Sequence, residues 1–284
     1  MNYKIKELIH SFLSNQNSVS TKERYEYELN SFFEFLNYPS VSKIQMSDIL
    51  HYKESLKNLK PGTVAWKLKL LKTFFEFLIK LGEISSNPAL EVKVPKYSPA
   101  PLGSLTADEA KSLLKAPNKK TLTGKRDYAI LSLFLSIGIR IGELVKLTVS
   151  DICKGDNSYA IKVTGKGNKE RILKIPEQVY QTIKDYLTKL NTNNPYLFPS
   201  NRTNTARSIS QRAIALRIKQ YADKVHLNKS VHPHLLRHTC FTLELSNRAN
   251  IKQIQVQAGH SSLNTTSQYL HTLETSAVDS NPLF

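Results

Sequence analysis

The fourteen residues Glu91–Ser104, EVKVPKYSPAPLGS, hold three prolines and a glycine, and they separate two parts of the chain with different hydrophobic rhythms. Proline removes a backbone donor and resists helix, so a stretch of this kind interrupts any regular element that would run through it. A chain of 284 residues is close to the upper limit for a single hydrophobic core and long enough for two. The reading is a first domain over 1–90, a linker over 91–104 and a second domain over 105–284.

Before the break the apolar period is helical throughout. Ile5, Leu8, Ile9, Phe12 and Leu13 share one face. Ser20 followed by Glu23 predicts a capping box, after which Tyr25, Leu29, Phe32, Phe33 and Leu36 continue a stripe. Ser47 and Asp48 can open a third helix towards Leu56. Pro61 suits the first turn of a fourth, with Val64, Leu68, Leu71, Phe75 and Leu78 on its apolar side and Gly82 as its stop. Four short helices make a small bundle.

After the break, Thr106 and Glu109 predict a capped helix start, and Arg126–Ile137 an apolar helix ending near Gly138. The period then shortens to two. Tyr159–Val163 and Arg171–Ile175 are predicted strands around the turn Gly165-Lys166-Gly167-Asn168. Helical patterns return over Pro176–Leu190, Ser208–Val225 and Pro233–Asn247. The expected fold class is mainly α with a small β component: an N-terminal helical bundle followed by an α+β domain.

Lysine and arginine outnumber aspartate and glutamate by 40 to 23, a net charge of +17. Such an excess repels itself in the folded state and suits a polyanionic partner, although a solubilising surface would carry the same charge. It is unevenly shared: 14 basic and 10 acidic residues up to Ser98, 26 and 13 beyond it. An anionic membrane fits less well, because the basic residues are not gathered on one amphipathic helix. Apolar stretches such as Ala129–Phe134 are too short to span a bilayer, and the N-terminus lacks the pattern of a signal peptide. Two distant cysteines, Cys153 and Cys240, argue against a disulfide framework or a cysteine zinc site. A cytoplasmic protein is expected.

Six of the eight histidines, His226, His232, His234, His238, His260 and His271, fall in the last quarter. His234 and His238 would share a helix face, as a metal pair does. However, Leu235 stands where the zinc-protease signature needs glutamate, and Arg237 would set a fixed positive charge beside the cation. No metal and no cofactor is expected. Thr164-Gly-Lys-Gly-Asn-Lys lacks the spacing of a phosphate-binding loop and lies between strands, so it reads as a hairpin turn whose lysine can reach outwards. Taken singly, Arg140 with Glu143 reads as a local ion pair, His234 and Arg237 as helix-surface residues, and Tyr269 as a half-buried aromatic.

Taken together and in chain order, Arg140, Lys166, His234, Arg237, His260 and Tyr269 resemble the active-site set of the tyrosine recombinases, the phage integrase family. The strings are GIRIGEL, TGKGNKER, HPHLLRHT and AGHSSLNTTSQYLH, with nine residues from His260 to Tyr269. The resemblance covers nearly the whole chain. The first bundle resembles the family's SAM-like core-binding domain and the rest its catalytic domain. Ala258, Leu270 and the Cys240-Phe241 pair depart from the usual residues, as packing substitutions; Cys240 is expected to be a buried core thiol.

The resemblance implies a site-specific recombinase that cleaves and rejoins DNA through a 3′-phosphotyrosyl intermediate. Arg140 and Arg237 would clamp the non-bridging phosphate oxygens, where negative charge grows in the transition state. Tyr269 would be the nucleophile, His234 its base or proton shuttle, Lys166 the donor to the departing 5′ oxygen, and His260 a hydrogen-bond partner or support of the phosphate. Glu143 would orient Arg140 or the local backbone rather than react. The implied partners are a double-stranded DNA recombination site and three further copies of the chain in a synaptic tetramer, with no membrane. The tail from His271 to Phe284, with Ala277, Val278, Leu283 and Phe284 as its apolar anchor, is expected to dock on a neighbouring protomer. No extra arm-binding domain is expected, and the likeness is to the simpler Xer-like or Cre-like kind, as carried by plasmids and transposons. Lys22, Arg24, Lys67, Lys69 and Lys72 in the first domain, and Arg202, Arg207 and Arg212 in the second, are candidate DNA contacts. The rival readings are a type IB topoisomerase, with a similar residue set, and a non-catalytic architectural DNA-binding protein.

Overall fold

Phenylalanine rings organise the first part of the chain. In the computed structural model, which describes residues 3–16, 18–97, 103–155, 158–165, 169–200, 206–247 and 250–259, the chain divides into two units, Met1–Ala100 and Pro101–Phe284. In the first, α1 (Tyr3–Ser14), α2 (Val19–Phe35), α3 (Met46–Ser55) and α4 (Pro61–Lys80) close around Phe12, Phe32, Phe33, Phe74 and Phe75. Phe12 meets Phe74 edge to face at 5.3 Å, as Phe32 meets Phe33, a geometry that adds quadrupole attraction to apolar burial. Pro61 is in the first turn of α4. At its other end Gly82 takes φ 75°, and the amides of Gly82 and Glu83 bond back to Ile79 O and Leu78 O, a Schellman stop.

Three expectations need correction in this unit. The Ser20–Glu23 capping box does not form: Ser18 is the N-cap, its carbonyl takes the amides of Thr21 and Lys22, and the Ser20 hydroxyl lies 3.1 Å from that of Ser18. Lys67 is not an outward contact. Its ammonium is ion-paired with Glu28 and largely covered. The proline-rich segment does not begin as a free linker, since Val92 is 1% exposed and Val94 packs against the same core. Two valines suffice to bury its start.

The second unit is built on α6 (Leu122–Ile137), which is buried on nearly every side and meets α5 (Ala107–Lys115), α8 (Glu177–Leu187) and α10 (Pro233–Ser246). Thr106 and Glu109 form the expected reciprocal cap of α5. β1 (Ile152–Lys154), β2 (Tyr159–Thr164) and β3 (Glu170–Ile175) form an antiparallel sheet in that order, with Val163 opposite Arg171 and Thr164 opposite Glu170. α9 (Gln211–Lys224) is pinned to α6 by Asp127, which is 3% exposed and accepts from Arg126, Arg217 and the Tyr221 hydroxyl. Burial and Asp127 push the Tyr221 phenol up to about 12. The short α7 (Ile141–Leu144) and three-residue β1 carry too little apolar pattern to be expected from sequence, and α11 (Ile251–Ala258), half apolar, is only eight residues long. The fold class is as expected, mainly helical with one small sheet. Among the described residues no helix is long and apolar enough to cross a membrane.

Candidate active site

The site is assembled from helix ends. Gly138 closes α6 in the left-handed region, φ 58°, and a methyl group there would lie 2.6 Å from the Phe241 ring. Glycine is therefore required twice over at this position. The turn it makes sets Arg140 as the N-cap of α7. Phe241 belongs to α10, whose N-terminal turn carries His234 and Arg237.

Arg237 is 5% exposed and sits over the Phe241 ring at 4.8 Å. It donates to Gly138 O, at the end of α6, and to Ala258 O (2.7 Å), at the end of α11. Arg140 donates to Gly259 O at 3.1 Å, the next carbonyl along. Gly259 caps α11 with φ 60°. Helix C-termini present unpaired carbonyls and partial negative charge, so two guanidiniums there satisfy the backbone while keeping their net charge.

Glu143 is the anion beneath them. It is 4% exposed, takes the Arg140 amide (3.0 Å) and Nη1 (3.0 Å), and forms two parallel bonds with Arg171, at 2.8 and 2.9 Å. Burial alone would raise its pKa. The hydrogen bonds from Arg171 and the Arg140 amide, with the charge of Arg171, outweigh this and hold it below the ordinary carboxylate value. Sequence reasoning missed Arg171. The signal was present: along β3 Arg171 shares the inward side with Leu173 and Ile175, and a charged residue at an inward strand position needs a partner.

His234 keeps contact with solvent, yet the protein packed about its ring, then the charges of His232, Arg237 and Arg140, lower its pKa from the usual 6.5. A neutral imidazole at neutral pH can accept a proton. His238, one turn on, is 2% exposed with Nδ1 3.0 Å from the Thr242 hydroxyl, so the two rings occupy different surroundings. Cys240 is a buried thiol, as expected, 3.5 Å from Glu244.

Arg140, His234 and Arg237 are thus brought together, whereas Lys166, His260 and Tyr269 lie outside the described residues, as do Arg202 and the tail His271–Phe284. The residues just before Lys166 and His260 converge on the same place. A methyl group at Gly165, before Lys166, would be 3.5 Å from Arg171 Nη1 and from Glu143 Oε1; one at Gly259, before His260, would be 3.4 Å from Arg140 Nη1. Elsewhere, Arg207 lines a groove of about 560 Å³ with Arg126 and Arg217, whose charges are tied to Asp127.

Comparison with known proteins decides the family. The phage integrase family model matches residues 103–275, and the phage integrase N-terminal SAM-like domain matches residues 5–82. This chain belongs to the phage integrase family. The tyrosine recombinase XerC of Thermodesulfovibrio yellowstonii is 35% identical over 275 residues, covering 93% of this chain and 89% of that one. The tyrosine recombinase XerD of Staphylococcus saprophyticus is 30% identical over 267 residues, 89% of this chain and 88% of its own. The crystal structure of a lambda integrase (75–356) dimer bound to a COC′ core site shares the fold, with a TM-score of 0.78 over 98% of each chain at 18% identity. As a phage integrase family member, the protein is a tyrosine recombinase that cleaves and rejoins DNA in site-specific recombination.

Proposed function

We propose that Tyr269 attacks a scissile phosphate held by Arg140 and Arg237, giving a 3′-phosphotyrosyl link and a free 5′ hydroxyl. The observation that carries this reading is the pair of guanidiniums on consecutive carbonyls, Gly259 and Ala258, immediately before His260. A phosphodiester repels nucleophiles, and its charge grows towards the pentacovalent transition state, so fixed cations at its non-bridging oxygens lower the barrier most. In this reading neutral His234 takes the phenol proton, Lys166 gives a proton to the leaving 5′ oxygen, and His260 hydrogen-bonds the phosphate. The ester stores the energy of the broken bond, so a 5′ hydroxyl from a partner duplex can reseal the strand without nucleotide hydrolysis.

The ligand is then duplex DNA bearing a recombination site, handled in the cytoplasm. Domain 1–90 is the core-binding part, 105–284 the catalytic part, and four copies assemble at synapsis. Of the basic candidates in the first domain, Lys69 and Arg24 are exposed, Arg24 lying over Trp66 at 3.8 Å, while Lys72 donates to Leu90 O. In the second, Arg207 and Arg212 are exposed. Relatives crystallised on DNA, including XerH on its difH substrate, support the ligand class.

The test is a nicked suicide duplex, from which the short fragment bearing the free 5′ hydroxyl diffuses away after cleavage, so that the covalent adduct is trapped. Adduct should form with the wild-type chain and vanish in Tyr269→Phe while DNA binding persists. An adduct in the phenylalanine variant would remove Tyr269 from its role. Relaxation of supercoils at any sequence, without synapsis, would favour the topoisomerase reading.

A further inference from the structure

We propose that Arg171 is a positioning residue that keeps the charge of Arg140 available to the phosphate, by holding Glu143 in a competing bidentate pair. The inference rests on the reading of Arg140 as a phosphate clamp. Glu143 has four filled acceptor positions: Arg171 takes one on each oxygen, the Arg140 amide a third and Arg140 Nη1 only the fourth. A carboxylate paired fork to fork with one guanidinium cannot pair so with a second. Arg171 is the inner partner, its side chain 17% exposed against 34% for Arg140, so the outward charge is the one left under-neutralised.

Arg171 also joins the three pieces of chain that bear on the site. It stands on β3 of the Lys166 hairpin, five residues after that lysine, and pairs with Glu143 of α7. Its Nε donates to Gln257 O at 3.1 Å, one residue before the carbonyl held by Arg237 and two before that held by Arg140. Without it, Glu143 would lose two bonds and turn its freed lone pairs to Arg140. That guanidinium would be drawn inwards and neutralised, and the last turn of α11 would lose one of its three arginine ties.

The test compares Arg171→Gln, Arg171→Lys and Arg140→Gln on two suicide duplexes, one ordinary and one with an uncharged methylphosphonate at the scissile position. Arg171→Gln should cleave the ordinary duplex about 100-fold more slowly than wild type, the scale of a small misplacement of a reacting group, with DNA affinity unchanged. Lysine, a point charge that cannot make the paired bonds, should recover only part of that loss. On the methylphosphonate, which has no charge to stabilise, the defects of Arg171→Gln and Arg140→Gln should both shrink to a few-fold. Wild-type cleavage by Arg171→Gln, or an equal loss on both duplexes, would overturn the proposal and leave the clamp intact. Should Arg171→Gln not fold, the ratio of the two rates for Arg171→Lys decides in the same way. Failure of the methylphosphonate to rescue Arg140→Gln would instead remove the clamp itself.

Discussion

Arg140 and Arg237 hold adjacent backbone oxygens, those of Gly259 and Ala258, at 3.1 and 2.7 Å. They come from separate elements 97 residues apart, and the end of α11 is what they have in common. The two arginines and the last turn of α11 therefore hold one another in place.

Arg237→Ala should lower both cleavage and stability. Loss of a guanidinium at the transition state costs about 10²–10³-fold in cleavage rate. Leaving two buried helix-end carbonyls without their donor costs about 1–3 kcal/mol each at most. Single-turnover cleavage and urea unfolding measure the two separately. Arg237→Lys should recover only part of the stability lost in Arg237→Ala, because an ammonium cannot span Gly138 O and Ala258 O in the fork geometry.

Because the His234 ring is held below the ordinary histidine value, it should be neutral across the neutral range and, in the proposed role, ready to take the phenol proton. The cleavage rate should be flat around pH 7 and fall on acidification only below the usual 6.5, as the imidazole takes up a proton. Glu143→Gln should leave that acid limb in place, whereas His234→Ala should abolish it. An unchanged profile in His234→Ala would assign the limb to another group.

Glu244 and Glu143 should act on stability with opposite signs. Burial raises the Glu244 carboxyl above its ordinary 4.5, and Gln257 and Cys240 only partly offset this. Its favourable contribution is complete below 4.5 and is lost as pH rises through the raised value. The depressed Glu143 contributes above 4.5 and fades as pH falls through its lowered value. Glu244→Gln should therefore raise the urea midpoint near pH 7 and leave it little changed at pH 4. Glu143→Gln should lower it near pH 7, with a difference that narrows in acid.

Lys67 and Lys69 separate structure from binding within one helix. Lys67→Gln breaks the covered pair with Glu28 and should reduce stability with little effect on the salt dependence of DNA binding. Lys69→Gln, on the exposed side, should leave stability alone and reduce the slope of log affinity against log salt by about one unit. Equal slopes for both variants and wild type would take Lys69 out of the interface.

The helical stripes of the first unit were legible because a small bundle must bury one face of every helix, and Ile5 to Leu13 and Val64 to Leu78 do so. Arg140, His234 and Arg237 each read singly as structural residues, and stood out only as part of an ordered set that resembles the family's active site. Arg171 did not, because its part depends on a carboxylate 28 positions away and on strand alternation across a three-stranded sheet. Ser20 misled for the opposite reason: two serines competed for one cap, and the backbone of Ser18 took it. α11 escaped notice because only Ile254 and Ala258 of its eight residues are buried.

Position 138 leaves natural variation almost no way out. A β-carbon there must enter both a disfavoured backbone basin and the space already filled by the ring at 241, so relieving one conflict alone gains nothing. Drift at this corner would need a smaller residue at 241 to arise first, yet that ring also underlies the guanidinium of Arg237. Saturation libraries over the pair should therefore return glycine at 138 in nearly every active clone, whatever is tolerated at 241.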